Sequence, residues 1–262
     1  MVAVRRRSGG GRRTTEAPGP ADLSVLDHLS ELRDRIIKSA AAVTVGAVVC
    51  WFLYPWIFDV LVDPYCSLQG AAVDDCRLLQ TEPLEAFSIR LKIAGYGGVA
   101  LAMPVLLWQV WRFVVPGLHA NEKRWAYPFV GSALVLFVLG ATLAFHTLTP
   151  ALEFLTEVGG EGLQQQFRPA PYFELITYMM LAFGVGFEFP IVLVFLQLAG
   201  VITASSLRSA RRYAVVGIVV VVAVITPSGD PYTLGILSIP MYLFYEISIL
   251  IGTLLTRRSD ER

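Results

Sequence analysis

The chain has 262 residues, of which 55% are hydrophobic and 16% charged, with a mean hydropathy of +0.60. A soluble domain carries about 45–50% apolar and about 25% charged residues, so this composition excludes an ordinary aqueous fold. The 21 Lys and Arg balance the 21 Asp and Glu, which leaves no basic excess of the kind a dedicated nucleic-acid binder needs. The charges fall in clusters between long uncharged apolar runs, the pattern of an all-α polytopic membrane protein.

Residues 1–22 hold Arg5, Arg6, Arg7, Arg12 and Arg13 among Gly, Thr and Pro and read as a disordered basic tail able to touch anionic lipid. They do not read as a secretory signal, because the first apolar run begins only near Ile36, after acidic residues. Ser24 and Asp27 resemble a cap for a short helix. On that helix Leu29, Leu32 and Ile36 share one face, while Asp27, Glu31 and Arg35 share another, so it should lie at the inner membrane surface. The membrane domain is expected over 23–255, with 256–262 as a C-terminal tail.

Six apolar segments follow: about Ile36–Tyr54, Ala86–Phe113, Ala126–Thr149, Tyr172–Leu198, Tyr213–Thr226 and Leu234–Leu255. A crossing helix needs about 20 residues, which the first four satisfy. Pro104, Pro190 and Pro240 should bend the second, fourth and sixth. The fifth covers only about 21 Å of a hydrocarbon layer about 30 Å thick, so the bilayer must thin or flanking groups must snorkel. Gly95, Gly97, Gly98, Gly184 and Gly186 suit close helix packing.

Basic residues collect at one set of segment ends: Arg33, Arg35 and Lys38, then Arg112, Lys123 and Arg124, then Arg208, Arg211 and Arg212, then Arg257 and Arg258. The opposite loops are rich in Asp and Glu. The positive-inside rule therefore predicts six transmembrane helices with both termini in the cytoplasm. Of the three cysteines, Cys66 and Cys76 share the first outer loop, where they form either a bridge or two free thiols.

Catalytic signatures are missing. The sequence has no phosphate-binding GxxxxGK[ST] loop, no HExxH pair and no GxSxG elbow, and His28, His119 and His146 are scattered. No catalytic residue, metal site or cofactor is expected. The informative groups are ionisable residues at membrane depth. Glu188 lies about midway along the fourth segment, where a charge costs about 2.5–3.5 kcal/mol on insertion scales. It is either a protonated carboxyl bonded to a neighbouring helix or an acceptor facing a groove. Glu246 poses the same question in the sixth segment, and Asp230 sits in the turn before it, where an Asx turn would account for it. Glu31 and Glu122 stand among basic residues on the inner side. Glu31 either pairs with Arg35 one helical turn on or, with Glu122, accepts guanidinium groups from a ligand.

Six motifs in order resemble the TatC family, the multi-span core of the twin-arginine protein translocase. They are His28-Leu-x-Glu31-Leu-Arg33, Glu85-Ala-Phe87, Pro104 with Gln109-x-Trp111-x-Phe113-x-x-Pro116-Gly117-Leu118 and Glu122-Lys-Arg124, Phe183-Gly184-x-x-Phe187-Glu188-x-Pro190, Thr226-Pro227-Ser228-x-Asp230-Pro231, and Ile239-Pro240-Met241-Tyr242 with Glu246. The resemblance implies a glove-shaped bundle with short fifth and sixth helices in a bacterial cytoplasmic membrane. It implies binding of Arg-Arg signal peptides on already folded precursor proteins through Leu29, Glu31, Arg33, Phe113 and Glu122, with Pro104 shaping the second span. It also implies TatA-like and TatB-like single-span partners, self-association in the translocase complex, and export driven by the proton gradient. Glu188, Asp230 and Glu246 would serve contacts inside the membrane or with partners. A proton-coupled secondary transporter using Glu188 is the alternative, weakened by the lack of an internal repeat.

Overall fold

The computed structural model describes residues 20–68, 78, 80, 82–114, 126–159, 168–198, 200–226 and 230–260. All regular structure among them is helical: α1 (Pro20–Phe52), α2 (Tyr54–Leu68), α3 (Glu85–Val114), α4 (Ala126–Gly159), α5 (Pro169–Gly186), α6 (Phe189–Leu198), α7 (Ala204–Ser209), α8 (Arg211–Ile225) and α9 (Pro231–Asp260). Helices dominate because hydrocarbon offers the backbone no partner, so each N–H and C=O must be satisfied within its own segment. The chain divides into two units, Met1–Lys38 and Ser39–Arg262.

Among the described residues, five stretches are long and apolar enough to cross a membrane: Leu29–Phe52, Glu85–Arg112, Pro128–Val158, Pro169–Leu198 and Pro231–Leu254. The fourth of these combines α5 and α6. The expected fifth span is α8, whose 15 residues cover about 22 Å, short of a full crossing.

Within the second unit, α5 packs against α3 and α4, and α9 packs against α6 and α8. Phe173, Phe183 and Phe187 are fully buried there with Ile93, Ile176 and Met179. The outward faces are as apolar as the core. Val216, Val220 and Val224 of α8 and Ile239, Leu243 and Leu250 of α9 are exposed, which water would punish and lipid does not. Close packing therefore rests on shape. A Cβ on Gly98 of α3 would stand 2.5 Å from the Ala47 backbone nitrogen in α1, and one on Gly46 would stand 2.5 Å from the Gly98 oxygen. Gly140 of α4 meets the Phe183 carbonyl of α5 in the same way, and Gly184 meets the Phe137 ring. Gly97 abuts the Cys50 side chain. Gly95 has nothing within 4 Å and Gly186 makes only an ordinary contact with Met241, so the close-packing role expected for those two is not realised.

Several expectations shift. The helix expected to start at Ser24 begins at Pro20 and continues to Phe52 without a break, so the lead-in and the first apolar segment are one element. Proline at a first helical turn loses no hydrogen bond and presets φ. Leu29, Leu32 and Ile36 are exposed while Arg35 is buried, as suits an apolar face that meets lipid rather than protein. Two helices were not expected. α2 contains Pro64 and two aspartates, which made it read as loop, and α7 is a short helix whose Thr203 cap accepts from the Ser206 N–H. Helix α4 runs ten residues beyond Thr149, through Pro150 to Gly159. The prolines also differ. α3 and α9 carry Pro104 and Pro240 inside unbroken helices, whereas the chain breaks just before Pro190.

The glycine contacts predict an asymmetry between neighbours. Gly98→Leu is expected to destabilise the fold by about 1–3 kcal/mol through overpacking. Gly95→Leu, facing open space, should stay within about 0.5 kcal/mol. Unfolding titrations of the two variants in mixed micelles check this.

Candidate functional site

The break between α5 and α6 makes the first site. Pro190 has no N–H to give the Gly186 carbonyl and its ring crowds that oxygen, so the α-helical ladder cannot pass. The chain tightens instead. The Glu188 N–H reaches the Val185 oxygen at 3.0 Å, and the Ile191 N–H returns to the Glu188 oxygen at 3.0 Å. Glu188 thus sits in a two-residue interruption about 15 Å from the Leu198 end of the span, at ~1.5 Å per residue. Its residue is 8% exposed, and Oε1 is buried with no hydrogen-bond partner among the described residues. Ten residues on, the segment ends in a Schellman arrangement. The Val201 N–H bonds the Leu196 oxygen and the Gly200 N–H bonds the Gln197 oxygen, with Gly200 at φ +71°, a conformation that only glycine adopts freely.

Gln197, in the last turn of α6, links to α9. Its Nε2 donates to the Leu193 and Ser248 carbonyls, at 3.3 and 3.0 Å. A Cβ on Gly252 would overlap its Oε1, so a larger residue there would have to push the amide aside.

A second set of groups serves helix ends. Arg90 of α3 donates to the Trp51 carbonyl at 2.9 Å, at the end of α1 where carbonyls lack helical partners. Its guanidinium also lies 4.5 Å from the Trp51 ring centroid and 5.1 Å from that of Tyr54. A cation there also suits the negative end of the helix dipole. Burial pushes the Tyr54 hydroxyl above the usual phenol range, and the Arg90 charge pulls the other way. The buried Glu85 carboxylate accepts from the Ala170 N–H at 3.1 Å, which caps α5. Beside it Arg168 pairs with Glu82 at 2.6 Å, and further along Lys92 of α3 pairs with Glu174 of α5 at 2.6 Å. The Tyr172 hydroxyl donates to the Leu61 carbonyl at 2.8 Å and Phe58 stacks on Phe173, which fixes α2 against α5.

The last helices form a third set. Arg211, which begins α8, donates to Glu246 of α9 at 2.7 Å, and the Tyr242 hydroxyl donates to the other Glu246 oxygen at 2.9 Å. Tyr245 donates to the Leu207 carbonyl and Arg208 to the Thr253 hydroxyl, so α7 is held on α9. Glu246 is thereby occupied inside the chain. Asp230 is buried and accepts from the Thr233 N–H at 2.7 Å, with Pro231 opening the helix, so it is the N-cap of α9.

In the first unit Glu31 accepts from Arg35 across one helical turn, so the local pair that the spacing allowed is formed. Arg33 turns outward and pairs with Asp34 at 2.9 Å, and Leu29 is exposed. Pro104 lies within α3 and Phe113 in its final turn, while Glu122 and Cys76 lie outside the described residues. Cys66 is disulfide-bonded and Cys50 is a free, buried thiol. No cluster of His, Cys, Asp or Glu suited to a metal occurs among the described residues. The sequence marks Arg211 only as a charge at a segment end and gives no sign of what Arg90, Lys92 or Gln197 would meet. Their residue types were visible, but their partners lie 35 to 82 positions away.

Comparison with known proteins gives a consistent picture. The family model described as Sec-independent protein translocase protein (TatC) matches residues 27–240. The chain is 40% identical over 258 residues to the Sec-independent protein translocase protein TatC of Frankia casuarinae, covering 95% of this chain and 71% of that protein. It is 37% identical over 246 residues to the protein of the same name from Aquifex aeolicus, covering 91% of this chain and 98% of that one. A crystal structure of the twin arginine translocase receptor TatC superimposes with a TM-score of 0.74 at 36% identity, over 86% of this chain and 99% of the other.

The cap at α9 predicts a graded mutational series. Asp230→Ala should cost about 1 kcal/mol, and Asp230→Asn, which keeps an acceptor oxygen, should recover most of it. Thermal unfolding of the detergent-solubilised variants gives the ranking.

Proposed function

Because this chain belongs to the TatC family of Sec-independent protein translocase components, a multi-pass membrane transport subunit rather than an enzyme, we propose that it is the translocase's receptor for twin-arginine signal peptides. The observation that carries this reading is the lead-in of the first span. There an exposed leucine, Leu29, is followed by a carboxylate, Glu31, already engaged with a guanidinium. A signal-peptide arginine would exchange like for like with Arg35, because carboxylate and guanidinium match in shape and charge. Glu122 supplies a second carboxylate, Phe113 an apolar contact, Arg33 a charge beside the first site, and Pro104 the local form of α3.

In this reading the chain crosses the membrane six times with both termini in the cytoplasm of a bacterium, and the short α8 requires a locally thinner bilayer. The six helical segments form a glove-shaped bundle. The passenger arrives folded, and the energy comes from the proton gradient. TatA-like and TatB-like single-span subunits assemble on the chain, which also associates with further copies of itself in the complex. A polar group on a partner helix would meet the buried Oε1 of Glu188, the kind of unpaired acceptor that hydrocarbon makes costly. Asp230 and Glu246 act indirectly, by holding α9 and the start of α8 where such helices dock. The first outer loop is closed by a Cys66–Cys76 bridge, which fits an oxidising exterior.

Two outcomes test these assignments. Photoreactive groups at positions 31 and 122 should capture an Arg-Arg precursor and not its Lys-Lys counterpart; equal capture of both would falsify the recognition model. Glu31→Ala and Glu122→Ala should each weaken precursor binding roughly tenfold, the worth of one charge-assisted hydrogen bond of about 1.5 kcal/mol, while membrane insertion is unchanged. Glu188→Ala should bind precursor normally and fail in assembly, seen as altered partner stoichiometry with reduced export. For the bridge, peptide mapping without reductant should recover Cys66 linked to Cys76, with Cys50 alkylated only after denaturation.

A further inference from the structure

A cavity of about 120 Å³ lies between α2, α3, α4 and α5 and is partly open to the exterior of the chain. Ile57, Tyr96, Ala100, Phe137, Thr177 and Leu181 are among the residues that line it. Its walls are almost wholly carbon. The Thr177 hydroxyl donates back to the Phe173 carbonyl and so offers little to a polar guest. An apolar cavity of this kind stays dry, and α3, α4 and α5 all contribute to membrane-crossing stretches. The material available to fill it is hydrocarbon. It approaches the roughly 150 Å³ apolar cavity that takes up a benzene-sized guest, room for a segment of an acyl chain.

Two helical stripes run from this cavity to one ion pair. Lys92, Tyr96 and Ala100 lie at four-residue intervals on α3, and Glu174, Thr177 and Leu181 lie at intervals of three and four on α5, so each set shares a face. Lys92 and Glu174 head these stripes. Glu174 sits about one turn, ~5.4 Å, nearer the N-terminus of α5 than Thr177, and Lys92 directly precedes the lining residue Ile93 on α3. Their atoms Nζ and Oε2 are 2.6 Å apart, with side chains 35% and 53% exposed. An ammonium has three donors and a carboxylate two oxygens. The pair therefore keeps donors on Lys92 and an acceptor oxygen on Glu174 for a guest. Lys92 is seven residues into α3, about 10 Å along the helix, and its long stem lets the ammonium extend toward a headgroup.

We propose that this cavity and the Lys92–Glu174 pair form a binding site for one aminophospholipid from the leaflet at the α3 N-terminus. An acyl chain fills the cavity, the lipid phosphate accepts from Lys92, and the primary amine donates to Glu174. A choline headgroup has no N–H to donate to Glu174. A glycerol headgroup leaves a net negative phosphate beside that carboxylate. The site thus prefers ethanolamine on grounds of charge and hydrogen bonding alone.

Native mass spectrometry of the full-length chain in detergent, with added phosphatidylethanolamine, phosphatidylcholine or phosphatidylglycerol of identical acyl composition, tests this. One phosphatidylethanolamine should be retained at least fivefold over the other two. Glu174→Gln, which keeps the cavity, should abolish that preference, and Ala100→Leu with Ala141→Leu, which fills it, should abolish retention. If the filled variant does not fold, the Glu174→Gln result decides. Equal retention of the three lipids by the wild type, retention of none, or an unchanged preference in Glu174→Gln overturns the site.

Discussion

In this protein several backbone groups are met by side chains from other helices. Hydrocarbon cannot hydrogen-bond, so an unmatched N–H or C=O costs several kcal/mol there. Arg90 of α3 meets the end of α1, Glu85 of α3 meets the start of α5, Tyr172 of α5 meets a carbonyl of α2, and Tyr245 of α9 meets a carbonyl of α7. Each bond joins two elements that lie far apart in the sequence. The same bonds that satisfy the backbone therefore fix the relative placement of the helices of the second unit, in a medium where apolar burial supplies little driving force.

Glu188 is the departure from that pattern. The break that Pro190 imposes places a carboxyl within a span, and one of its oxygens is left without a partner among the described residues. Glu246, Asp230 and Glu174 by contrast are engaged: Glu246 with Arg211 and Tyr242, Asp230 with the α9 backbone, Glu174 with Lys92. An acceptor left open at that depth is costly in hydrocarbon, and the assembly role proposed above for Glu188 rests on it.

The apolar runs were legible because a stretch of about 20 residues without charge has few other fates. Glu31 with Arg35 was legible from spacing, and Asp230 from turn chemistry, although it caps a helix rather than only closing a turn. Helix α2 was not. Pro55, Asp59, Asp63 and Pro64 are residues of loops, and what makes this stretch helical is the surface it lands on, through Tyr65 against Tyr172 and Phe58 against Phe173. The partners of Arg90 and Arg211 were hidden for the same reason. A sequence shows which charges exist, and only the fold decides which carbonyl or carboxylate each one faces.

The fit of Gln197 against Gly252 also restricts how the bundle can move. If α9 slid along α6 by one helical turn, a residue bearing a side chain, Ser248 or Thr256, would arrive where the glycine now stands. The amide would have to swing aside and give up the Ser248 carbonyl before such a shift could begin. The Gln197 amide therefore holds the last helix against α6 in its present register, and sliding the two past each other costs one buried hydrogen bond.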